Sequence, residues 1–234
     1  MKTSTRQHLL SRQFNFLAPK DWEGRRVHII GCGGLGSTAA VILGKMGAPE
    51  IHLYDMDIVE DININNQFFG PANIDQPKVD AIKENVANYV GEDVCIAHNG
   101  KVEETMEFDK LDDEDIIIIG LDSNDTRRWV YTQIKEQFPP WKKLYIFDTR
   151  MGGLTFDVFF GTSQIIDKLL DETPFDKDVP DDLCTAKAIA FNTFGCSSFL
   201  GAMLRRHLVR EAFQESFYHI QVCMQNNIII TRTE

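Results

Sequence analysis

The segment that most restricts what this chain can fold into is a short apolar run that leads directly into a glycine-rich turn. Residues 27–36 read Val-His-Ile-Ile-Gly-Cys-Gly-Gly-Leu-Gly, which predicts a buried strand followed by a G-x-G-x-x-G turn. Gly31 permits the tight turn, Gly33 lets the backbone approach a phosphate, and Gly36 lets the next helix pack closely on the strand. The pattern therefore predicts the first strand–turn–helix unit of a nucleotide-binding sheet.

A helix and a second strand follow this turn in the order that a nucleotide site requires. The helix predicted over residues 35–46 would point its N-terminal amides at an anion, where the helix dipole adds attraction. Residues 51–54 predict the second strand, and Asp55 follows it, 24 residues beyond Gly31. An acid at this place can accept hydrogen bonds from ribose hydroxyls. A lone glycine motif is weak, but these parts together predict a nucleotide site.

Composition and charge exclude several other classes of protein. Hydrophobic residues make up 43% and charged residues 25% of the 234 positions, which suits one globular domain over residues 1–234. The net charge of −11 argues against a nucleic-acid partner, because binding phosphate backbones needs a basic surface. No apolar run reaches the ~20 residues that span a bilayer, and the N-terminus lacks a signal-peptide core. We therefore expect a cytoplasmic protein without a membrane-spanning segment.

The rest of the chain alternates short apolar strands with helical segments. Further strands are predicted at 94–97, 115–120, 144–148 and 155–160, and further helices at 77–90 and 124–138. This order predicts an α/β fold in which a doubly wound, mostly parallel sheet carries helices on both faces. The run 115–120 is apolar on both faces, as a buried parallel strand requires.

Four segments stand outside that alternation. Residues 1–24 predict a polar, partly helical arm, and residues 161–185 predict an acidic crossover loop at the surface. Residues 186–213 predict a long apolar-rich helix or helix pair, and residues 228–231 predict an edge strand.

A dense polar string after the second strand separates nucleotide activation from dehydrogenation. It runs Asp55-Met-Asp57-Ile-Val-Glu-Asp-Ile-Asn63-Ile-Asn-Asn66-Gln67, and Gln76-Pro77-Lys78 lies a little further on. A dehydrogenase usually begins an ordinary connecting helix here. This string instead supplies carboxylates for ribose and metal, amides, and a lysine that can meet phosphate oxygens. At this point the chain resembles the ThiF/MoeB/HesA superfamily, the adenylating fold that ubiquitin-activating enzymes share.

The resemblance covers nearly the whole chain. Besides the glycine turn and the polar string, it includes Ser11-Arg12-Gln13, Asp122 with Arg127, Arg150-Met151-Gly-Gly, and Cys184-Thr185. The compact form most resembles stand-alone ThiF-like proteins of phages and bacteria. The resemblance implies ATP-dependent adenylation, with Mg²⁺, of the C-terminal glycine carboxylate of a ubiquitin-like or sulfur-carrier protein. It also implies a homodimer.

The resemblance assigns roles residue by residue. Asp55 matches the ribose ligand, Lys78 the lysine on the phosphates, and Asp122 the carboxylate that holds magnesium near the α-phosphate. Asn63 matches an active-site amide, and Arg12 matches an arginine that reaches the ATP of the neighbouring protomer. The implied nucleotide-binding set is Gly31, Gly33, Gly34, Gly36, Asp55, Asp57, Asn63, Asn66, Gln67, Lys78 and Asp122.

One position departs from the family pattern. The family's string ends Asn-x-x-Arg-Gln, and its arginine contacts the ATP phosphates, whereas this chain has Asn66 there. A neutral asparagine cannot screen phosphate charge as a guanidinium does. Three alternatives stay open: an adenylating enzyme in which Arg150, Arg12 or Lys45 substitutes, a catalytically weak partner subunit, and a Rossmann NAD-dependent oxidoreductase.

Cys184 is the candidate covalent nucleophile. In some relatives the matching cysteine carries a thioester or persulfide, and here it is predicted at a helix start near Lys187, a setting that favours a thiolate. The alternative is a cysteine that only packs under the crossover. Cys32 and Cys196 are predicted to be packing residues. The five cysteines form no C-x-x-C pair, which suits reduced thiols and predicts no structural zinc.

Acidic residues dominate the crossover between positions 161 and 183, where seven acids face two lysines. Charge alone favours a solvated connection. Because Cys184 follows directly, the alternative is that Asp176, Asp178, Asp181 and Asp182 form a wall of the channel for the carrier's tail. In that case they would steer a basic tail residue and raise its association rate.

Overall fold

The computed structural model describes residues 6–178, 189–209, 217–226 and 228–233, and the strands of these ranges form one eight-stranded sheet. In chain order the strands are β1 (Val27–Ile30), β2 (Ile51–Asp55), β3 (Cys95–Asn99), β4 (Ile116–Ile119), β5 (Tyr145–Gly152), β6 (Thr155–Thr162), β7 (Phe217–Cys223) and β8 (Ile228–Thr233). Across the sheet the order is β3-β2-β1-β4-β5-β6-β7-β8.

Strands β1 to β5 form the parallel half of the sheet. β1 lies between β2 and β4, and β3 and β5 extend the sheet on either side, with parallel pairing throughout. The first four strands that the sequence predicts for this half are confirmed within about two residues, an ordinary disagreement between assignments. β5 was predicted at 144–148 and extends four residues further, to Gly152. All four residues of β4 are fully buried, because helices cover both faces of the sheet there.

Seven α-helices lie in the described ranges. They are α1 (Arg6–Leu10), α2 (Gly34–Met46), α3 (Lys78–Val90), α4 (Val102–Thr105), α5 (Asn124–Gln137), α6 (Ile166–Asp171) and α7 (Ala190–Leu208). α2 and α3 pack with α7 in one core, and α5 and α6 belong to a second core on the opposite face. None of the helices described is long and apolar enough to cross a membrane. The doubly wound arrangement is the predicted one.

Strands β6 to β8 form the antiparallel half of the sheet. β5 turns back through Gly153, which has φ +56°, into β6, and β7 and β8 follow with antiparallel pairing. The predicted edge strand at 228–231 is confirmed as β8. β7 is an element that the sequence prediction missed, because its residues pair with a strand about 60 positions earlier and no local turn marks that pairing.

The prediction that the crossover is a surface loop from residue 161 onward is wrong for its first part. β6 continues to Thr162, a short 3₁₀-helix spans Ser163–Ile165, and α6 follows. Ile165, Ile166 and Leu169 are buried because they form the inner face of this helical stretch. Its two acids, Asp167 and Asp171, are exposed. Residues 179–188, which include Asp181, Asp182 and Cys184, are outside the described residues.

The arm docks on the C-terminal end of α2. Gln13 Nε2 and Trp22 Nε1 both donate to the carbonyl of Met46, at 3.0 and 3.1 Å. Gly47 ends α2 in the left-handed conformation (φ +98°) and leaves room for this contact. The arm is partly helical, as predicted, with α1 and two short 3₁₀-helices. It therefore lies at the end of α2 that is remote from the glycine turn.

Candidate functional site

The carboxyl ends of β1, β2 and β4 stop at the same level and bring three chain segments together. Ile30 pairs with Tyr54 on one side and with Ile119 on the other. The amide of Gly31 donates to the carbonyl of Tyr54 at 2.9 Å, and the amide of Gly120 donates to that of Ile30 at 2.8 Å. The glycine turn thus sits between the ends of β2 and β4, where open α/β sheets bind ligands.

Steric limits explain the glycines of the turn. A Cβ on Gly36 would lie 2.0 Å from the carbonyl oxygen of Gly31, so only glycine lets α2 start this close to β1. Gly31 itself has φ +90° and contacts the backbone of Gly120. At Gly34 a Cβ would meet Thr193 at 2.8 Å, whereas Gly33 faces open space. Gly33 is therefore the point at which a ligand can approach the backbone.

Asp55 is fixed at the edge of this turn by backbone donors. The amide of Cys32 donates to its Oδ2 at 2.6 Å, and the amide of Asp57 donates to its Oδ1 at 2.8 Å. Burial raises the pKa of Asp55, while these two amides and the Lys78 charge oppose that rise. Each carboxylate oxygen can accept more than one hydrogen bond, so Asp55 keeps capacity for a ligand hydroxyl.

Lys78 and Asp57 form an ion pair under a cavity. Lys78 begins α3, and its Nζ donates to Asp57 Oδ2 at 2.7 Å. The backbone repeats the contact, because the amide of Lys78 donates to the carbonyl of Asp57 at 2.9 Å. Lys78 is 8% exposed. The cavity has a volume of about 370 Å³ and is lined by Met56, Asp57, Ile58, Glu60, Asn63 and Lys78.

The amides of the polar string shape the loop between β2 and α3. Asn63 Oδ1 accepts from the amide of Glu60 at 2.9 Å, which caps a short 3₁₀-helix. The amide of Phe68 donates to Ser37 Oγ at 2.9 Å and so anchors the loop to the second turn of α2. Between them, Gln67 has a buried Oε1 with no hydrogen-bond partner in the described part of the chain. A buried acceptor of this kind needs a donor, which a bound ligand can supply.

Asn66 lies beside the glycine turn. Its carbonyl oxygen is 3.3 Å from the position that a Cβ on Gly34 would occupy. The polar string therefore brings the backbone of Asn66 against the start of α2, and a contact between its side chain and a nucleotide stays a prediction.

Asp122 lies at the end of β4, and its surroundings are held by a buried arginine. The side chain is exposed, and its Oδ1 accepts from the amide of Ser123 at 2.9 Å. Arg127 donates to the carbonyl of Leu121, the residue before Asp122, and to the carbonyl of Thr149 at 2.9 Å. Arg127 also pairs with the fully buried Asp148. It thus fixes the turn that presents Asp122.

None of the three cations proposed to replace the family's arginine contacts the glycine turn. Arg150 binds Asp148 Oδ2 at 2.8 Å, the carbonyl of Glu172 at 2.9 Å and Thr173 Oγ1 at 2.6 Å. Lys45 lies in the last turn of α2, and Arg12 lies in the docked arm. Since the 13-residue α2 is about 20 Å long, these two belong to its far end. Arg150 and Lys45 therefore bind other groups in this protomer, and a substitute role for either stays a prediction.

Three of the four cysteines in the described ranges are buried thiols that are not arranged for nucleophilic chemistry. Cys32, Cys95 and Cys196 are buried, which confirms the packing role predicted for Cys32 and Cys196. Burial raises the pKa of the Cys32 and Cys196 thiols, and it raises the pKa of Cys95 to about 12. A thiol of this kind stays protonated and is a poor nucleophile at neutral pH. The structure does not test Cys184.

Asp176 has a structural role that the sequence did not indicate. Its carboxylate accepts from Ser123 Oγ and from the amide of Asn124, both at 2.8 Å, and so caps α5. Burial raises the pKa of Asp176, but these hydrogen bonds outweigh it and hold the pKa below its ordinary value. Asp176 is therefore not a free steering charge. Asp178 is exposed.

Two residues of α7 adjoin the site and were not predicted. Thr193 packs against Gly34, and the fully buried Asn192 donates to the carbonyls of Gly153 and Thr155 at 3.2 and 2.9 Å. They tie the β5–β6 turn to the glycine turn. The signal in the sequence was an Asn-Thr pair at the start of an otherwise apolar helix, because polar residues at buried positions require partners.

A larger cavity lies elsewhere on the molecule. Its volume is about 570 Å³, and its lining includes Leu10, Trp22, Gly47 and Glu50. These residues belong to the arm and to the amino-terminal side of β2, which is the edge opposite the glycine turn. The smaller cavity over Lys78 is therefore the candidate ligand site.

Comparison with known proteins gives a family match over most of the chain. The profile of the ThiF family matches residues 6–221. The NEDD8-activating enzyme E1 catalytic subunit of Schizosaccharomyces pombe is 34% identical over 126 residues, covering 50% of this chain and 28% of that protein. The ubiquitin-like modifier-activating enzyme 5 of Drosophila grimshawi is 36% identical over 96 residues, covering 39% and 24%. The matched segments thus span about a quarter of these relatives.

Solved structures share the fold at low identity. MccB of Escherichia coli, solved with AMPCPP and MccA, superposes with a TM-score of 0.71 at 18% identity, covering 99% of this chain and 72% of that one. PaaA superposes with a TM-score of 0.71 at 14% identity, covering 100% and 85%. The eight-stranded sheet is therefore shared with both proteins.

Proposed function

The chain belongs to the ThiF family, and from this premise we propose that it adenylates the C-terminal carboxylate of a ubiquitin-like or sulfur-carrier protein with ATP. The observation that supports the proposal is a convergence at one edge of the sheet. The glycine turn, Asp55 and Asp122 lie at the ends of three adjacent strands, and Lys78 lies at the start of α3, after the loop that follows β2. A nucleotide needs contacts of these four kinds.

The residues present fit ATP. The open side of Gly33 and the N-terminal amides of α2 suit a phosphate. Asp55 retains acceptor capacity for the ribose, and the orphaned Oε1 of Gln67 suits a ligand donor. Lys78 can exchange Asp57 for a phosphate oxygen at little electrostatic cost, because both are anionic acceptors.

Magnesium fits Asp122 only together with the nucleotide. No group of three His, Cys, Asp or Glu side chains in the described ranges is arranged to hold a metal ion. Magnesium characteristically takes one or two carboxylates plus substrate phosphates, so one exposed aspartate at the end of β4 is compatible. The ion would screen the charge of the α-phosphate there. Asp122 would be its protein ligand.

In the proposed reaction a carboxylate oxygen of the carrier attacks the α-phosphorus. That new P–O bond replaces the bond to the β-phosphate, and pyrophosphate leaves with the electron pair. The chain's residues hold the two reactants in line and stabilise charge, which can account for most of the rate enhancement in such a transfer. Transfer to Cys184 would follow as a second step. Replacement of Cys184 by serine should then leave adenylation intact and abolish a thiol-sensitive adduct.

A second candidate is a nucleotide-binding partner subunit with weak catalysis. Asn66 favours it, because Arg150 and Lys45 bind elsewhere and Lys78 is already paired with Asp57. Arg12 remains the candidate arginine, but only from another protomer. An NAD-dependent oxidoreductase is disfavoured by the ThiF family match.

Homodimerisation would bring Arg12 to a site. The arm and the glycine turn lie at opposite ends of α2, which is itself largely buried against α3 and α7. A two-fold contact that brings each arm to the partner's turn would therefore use the helices beside α2. Half-exposed aromatic rings beside α2 offer apolar surface for this contact. Phe68 packs edge-on against Tyr89 and Phe194, with centroids 5.4 and 5.9 Å apart.

Three assays test these proposals. ATP–pyrophosphate exchange is measured with a panel of small ubiquitin-like proteins, and with MccA because MccB was solved with it. Exchange supports adenylation, whereas ATP binding without exchange supports the partner subunit and NAD binding supports the oxidoreductase. For the dimer, Arg12→Ala and Asp122→Ala proteins are mixed. Restored exchange in the mixture supports action in trans, and a fully active monomer by light scattering excludes it.

A further inference from the structure

Three of the chain's six histidines stack in a row on one face of the parallel half. His28, His52 and His98 lie on β1, β2 and β3, with ring centroids 4.6 Å apart for the first pair and 5.2 Å for the second. Tyr54 stacks on His98 at 4.4 Å. We call these four side chains the histidine ladder. The nucleotide site uses none of their side chains.

Hydrogen bonds join the side chains of the ladder, and the bond between His52 and His98 exists only while at least one of the two rings is neutral. His52 Nε2 lies 2.8 Å from Glu50 Oε1, and His52 Nδ1 lies 3.0 Å from His98 Nε2. A nitrogen–nitrogen hydrogen bond needs one proton between two ring nitrogens. With one of the two rings neutral the bond persists. With both rings charged, both nitrogens carry hydrogen and the bond is lost.

The far end of the ladder leads to a buried ion pair. His28 Nδ1 lies 3.1 Å from the Tyr54 hydroxyl, and His28 Nε2 lies 3.5 Å from Asp115 Oδ2, which is long for a hydrogen bond. Arg26 Nη2 binds the same Oδ2 at 2.6 Å. Burial raises the pKa of Asp115, but its contacts with His28 and Arg26 outweigh it and lower the pKa to about 2. Asp115 thus stays ionised and already has a permanent cation.

Every element packed against the ladder contributes charges that bear on its titration. Glu50 precedes β2, Arg26 precedes β1, Asp115 precedes β4, and Glu107 follows α4. Glu107 is also bound by Lys110, and Asp112 lies near Arg26. The carboxylates facing the rings are therefore largely engaged, with Glu50 the partner of His52. Burial lowers the pKa of His28 and His98, and neighbouring imidazolium charges lower it further.

The ladder is joined to the glycine turn through Tyr54. The carbonyl of Tyr54 accepts from the Gly31 amide, and the next residue, Asp55, accepts from the Cys32 amide. We propose that the histidine ladder is a pH-sensitive element: a second proton in the His52–His98 pair breaks their hydrogen bond and loosens the glycine turn through Tyr54. Its test in the ligand-free protein does not depend on the proposed function.

The sign of the effect follows from the lowered pKa values of His28 and His98. In the unfolded chain these rings take up protons near their ordinary pKa, whereas the folded protein resists protonation. The unfolded state therefore binds more protons as the pH falls, and stability decreases with it. The stabilisation is complete above the ordinary histidine pKa of about 6.5 and is lost below it.

The experiment follows ring and amide NMR signals of the ligand-free protein between about pH 7.5 and about pH 5.5, the range in which histidine titrates. The amides of Gly31 and Cys32 should shift with the same midpoint as the His98 ring. In His98→Phe, which keeps an aromatic ring against Tyr54, that shift should disappear. Any shift due to Asp55 itself should remain. His219→Phe is the control for the loss of a histidine elsewhere in the sheet, because His219 of β7 stacks on Phe159 of β6 and lies 2.7 Å from Asp157 Oδ1.

Thermal denaturation gives a second readout. The fall in Tm on acidification should be smaller in His98→Phe than in the wild type, and His219→Phe shows how far the loss of a histidine outside the ladder changes the profile. Amide shifts at Gly31 that persist in His98→Phe would overturn the coupling. Equal Tm profiles in the wild type and His98→Phe would overturn the ladder's proton dependence. If nucleotide binds to neither protein at any pH, the proposed function fails while these two results still decide the ladder.

Discussion

The parallel and antiparallel halves of the sheet differ in how they are buried and in what they position. β4, in the parallel half, is fully buried between helices on both faces. β8, at the antiparallel edge, exposes all six of its residues, including Ile229 at 56%. The site residues cluster at the carboxyl ends of the parallel strands. The antiparallel half contributes the turn at Gly153, which α7 ties to the glycine turn.

The difference between the two halves explains why the candidate site residues lie at the edge of the parallel half. Parallel strands need long connections, and each connection delivers a loop to the same sheet edge. Neighbouring antiparallel strands run in opposite directions, so their carboxyl ends lie at alternate edges. Only the parallel half can therefore gather Asp55, Lys78 and Asp122 at one place. The junction between the halves is held by Asp148 of β5, which pairs with Arg127 and Arg150.

The largest effect is expected at the end of β4. Asp122→Ala should reduce ATP–pyrophosphate exchange by about 10³-fold or more, the scale lost when a key electrostatic contact is removed. The fold should remain intact, because Asp122 is exposed and bonds only to the neighbouring amide of Ser123. Exchange is compared with the circular dichroism of the same sample. Unchanged exchange would remove Asp122 from the site.

The next effect concerns the junction of the two halves. Arg127→Met should lower the free energy of unfolding by about 3 kcal/mol or more, because it leaves Asp148 short of a buried partner. Arg128→Met is the adjacent control, since Arg128 instead binds the carbonyls of Leu170 and Thr173, both at 2.5 Å. Urea denaturation measures both. If Arg128→Met is the more destabilising variant, the ion pair between Arg127 and Asp148 is not the contact that holds the two halves of the sheet together.

The third effect tests the parallel half by ligand affinity. Asp55→Ala should weaken ATP binding by about 1.5–3 kcal/mol, the worth of a hydrogen bond to a charged group. The difference in affinity between wild type and variant should require the ribose hydroxyls. We therefore expect 2′,3′-dideoxy-ATP to bind the two proteins with the same affinity. Calorimetry gives both affinities. A variant that loses affinity for the dideoxy nucleotide equally would show that Asp55 acts through the fold instead.

A smaller effect separates capping from steering in the crossover. Asp176→Asn should lower stability by about 0.5–2 kcal/mol through the loss of a charged cap on α5. Asp178→Asn, two residues away and exposed, should leave stability unchanged. Carrier association is then compared in both proteins. Slower, salt-dependent association in Asp178→Asn alone would support the steering proposal. Equal association rates in both proteins would show that the crossover is only a solvated connection.

The smallest effect lies at the antiparallel edge. Ile229→Ala should change the free energy of unfolding by no more than about 0.5 kcal/mol, as is usual for surface positions. A loss of several kcal/mol would mean that β8 is covered in solution. The difference in burial between β4 and β8 would then arise because the surface that covers β8 in solution is absent from this single chain.

Much of the parallel half could be predicted because its signals are local. Apolar runs, the glycine spacing and the acids that follow β2 and β4 are read over a few residues. They predict β1 to β4, α2, α3 and α5 within narrow bounds, and they place β5 but end it four residues early. β7 was missed because its pairing with β6 is long-range. The buried helical face of α6 was missed because the exposed acids around it dominate the composition of 161–183.

The sequence by itself determined the doubly wound sheet, the glycine turn and the identity of Asp55, Lys78 and Asp122 as candidates, since spacing and residue type suffice for those. Tertiary structure alone decided which charges are available. It paired Lys78 with Asp57, placed Arg150 on Asp148, used Asp176 as a cap and stacked three histidines from three strands. The physical reason is that a charge is satisfied by whichever partner the fold brings within hydrogen-bond distance, and that distance is not encoded in local sequence.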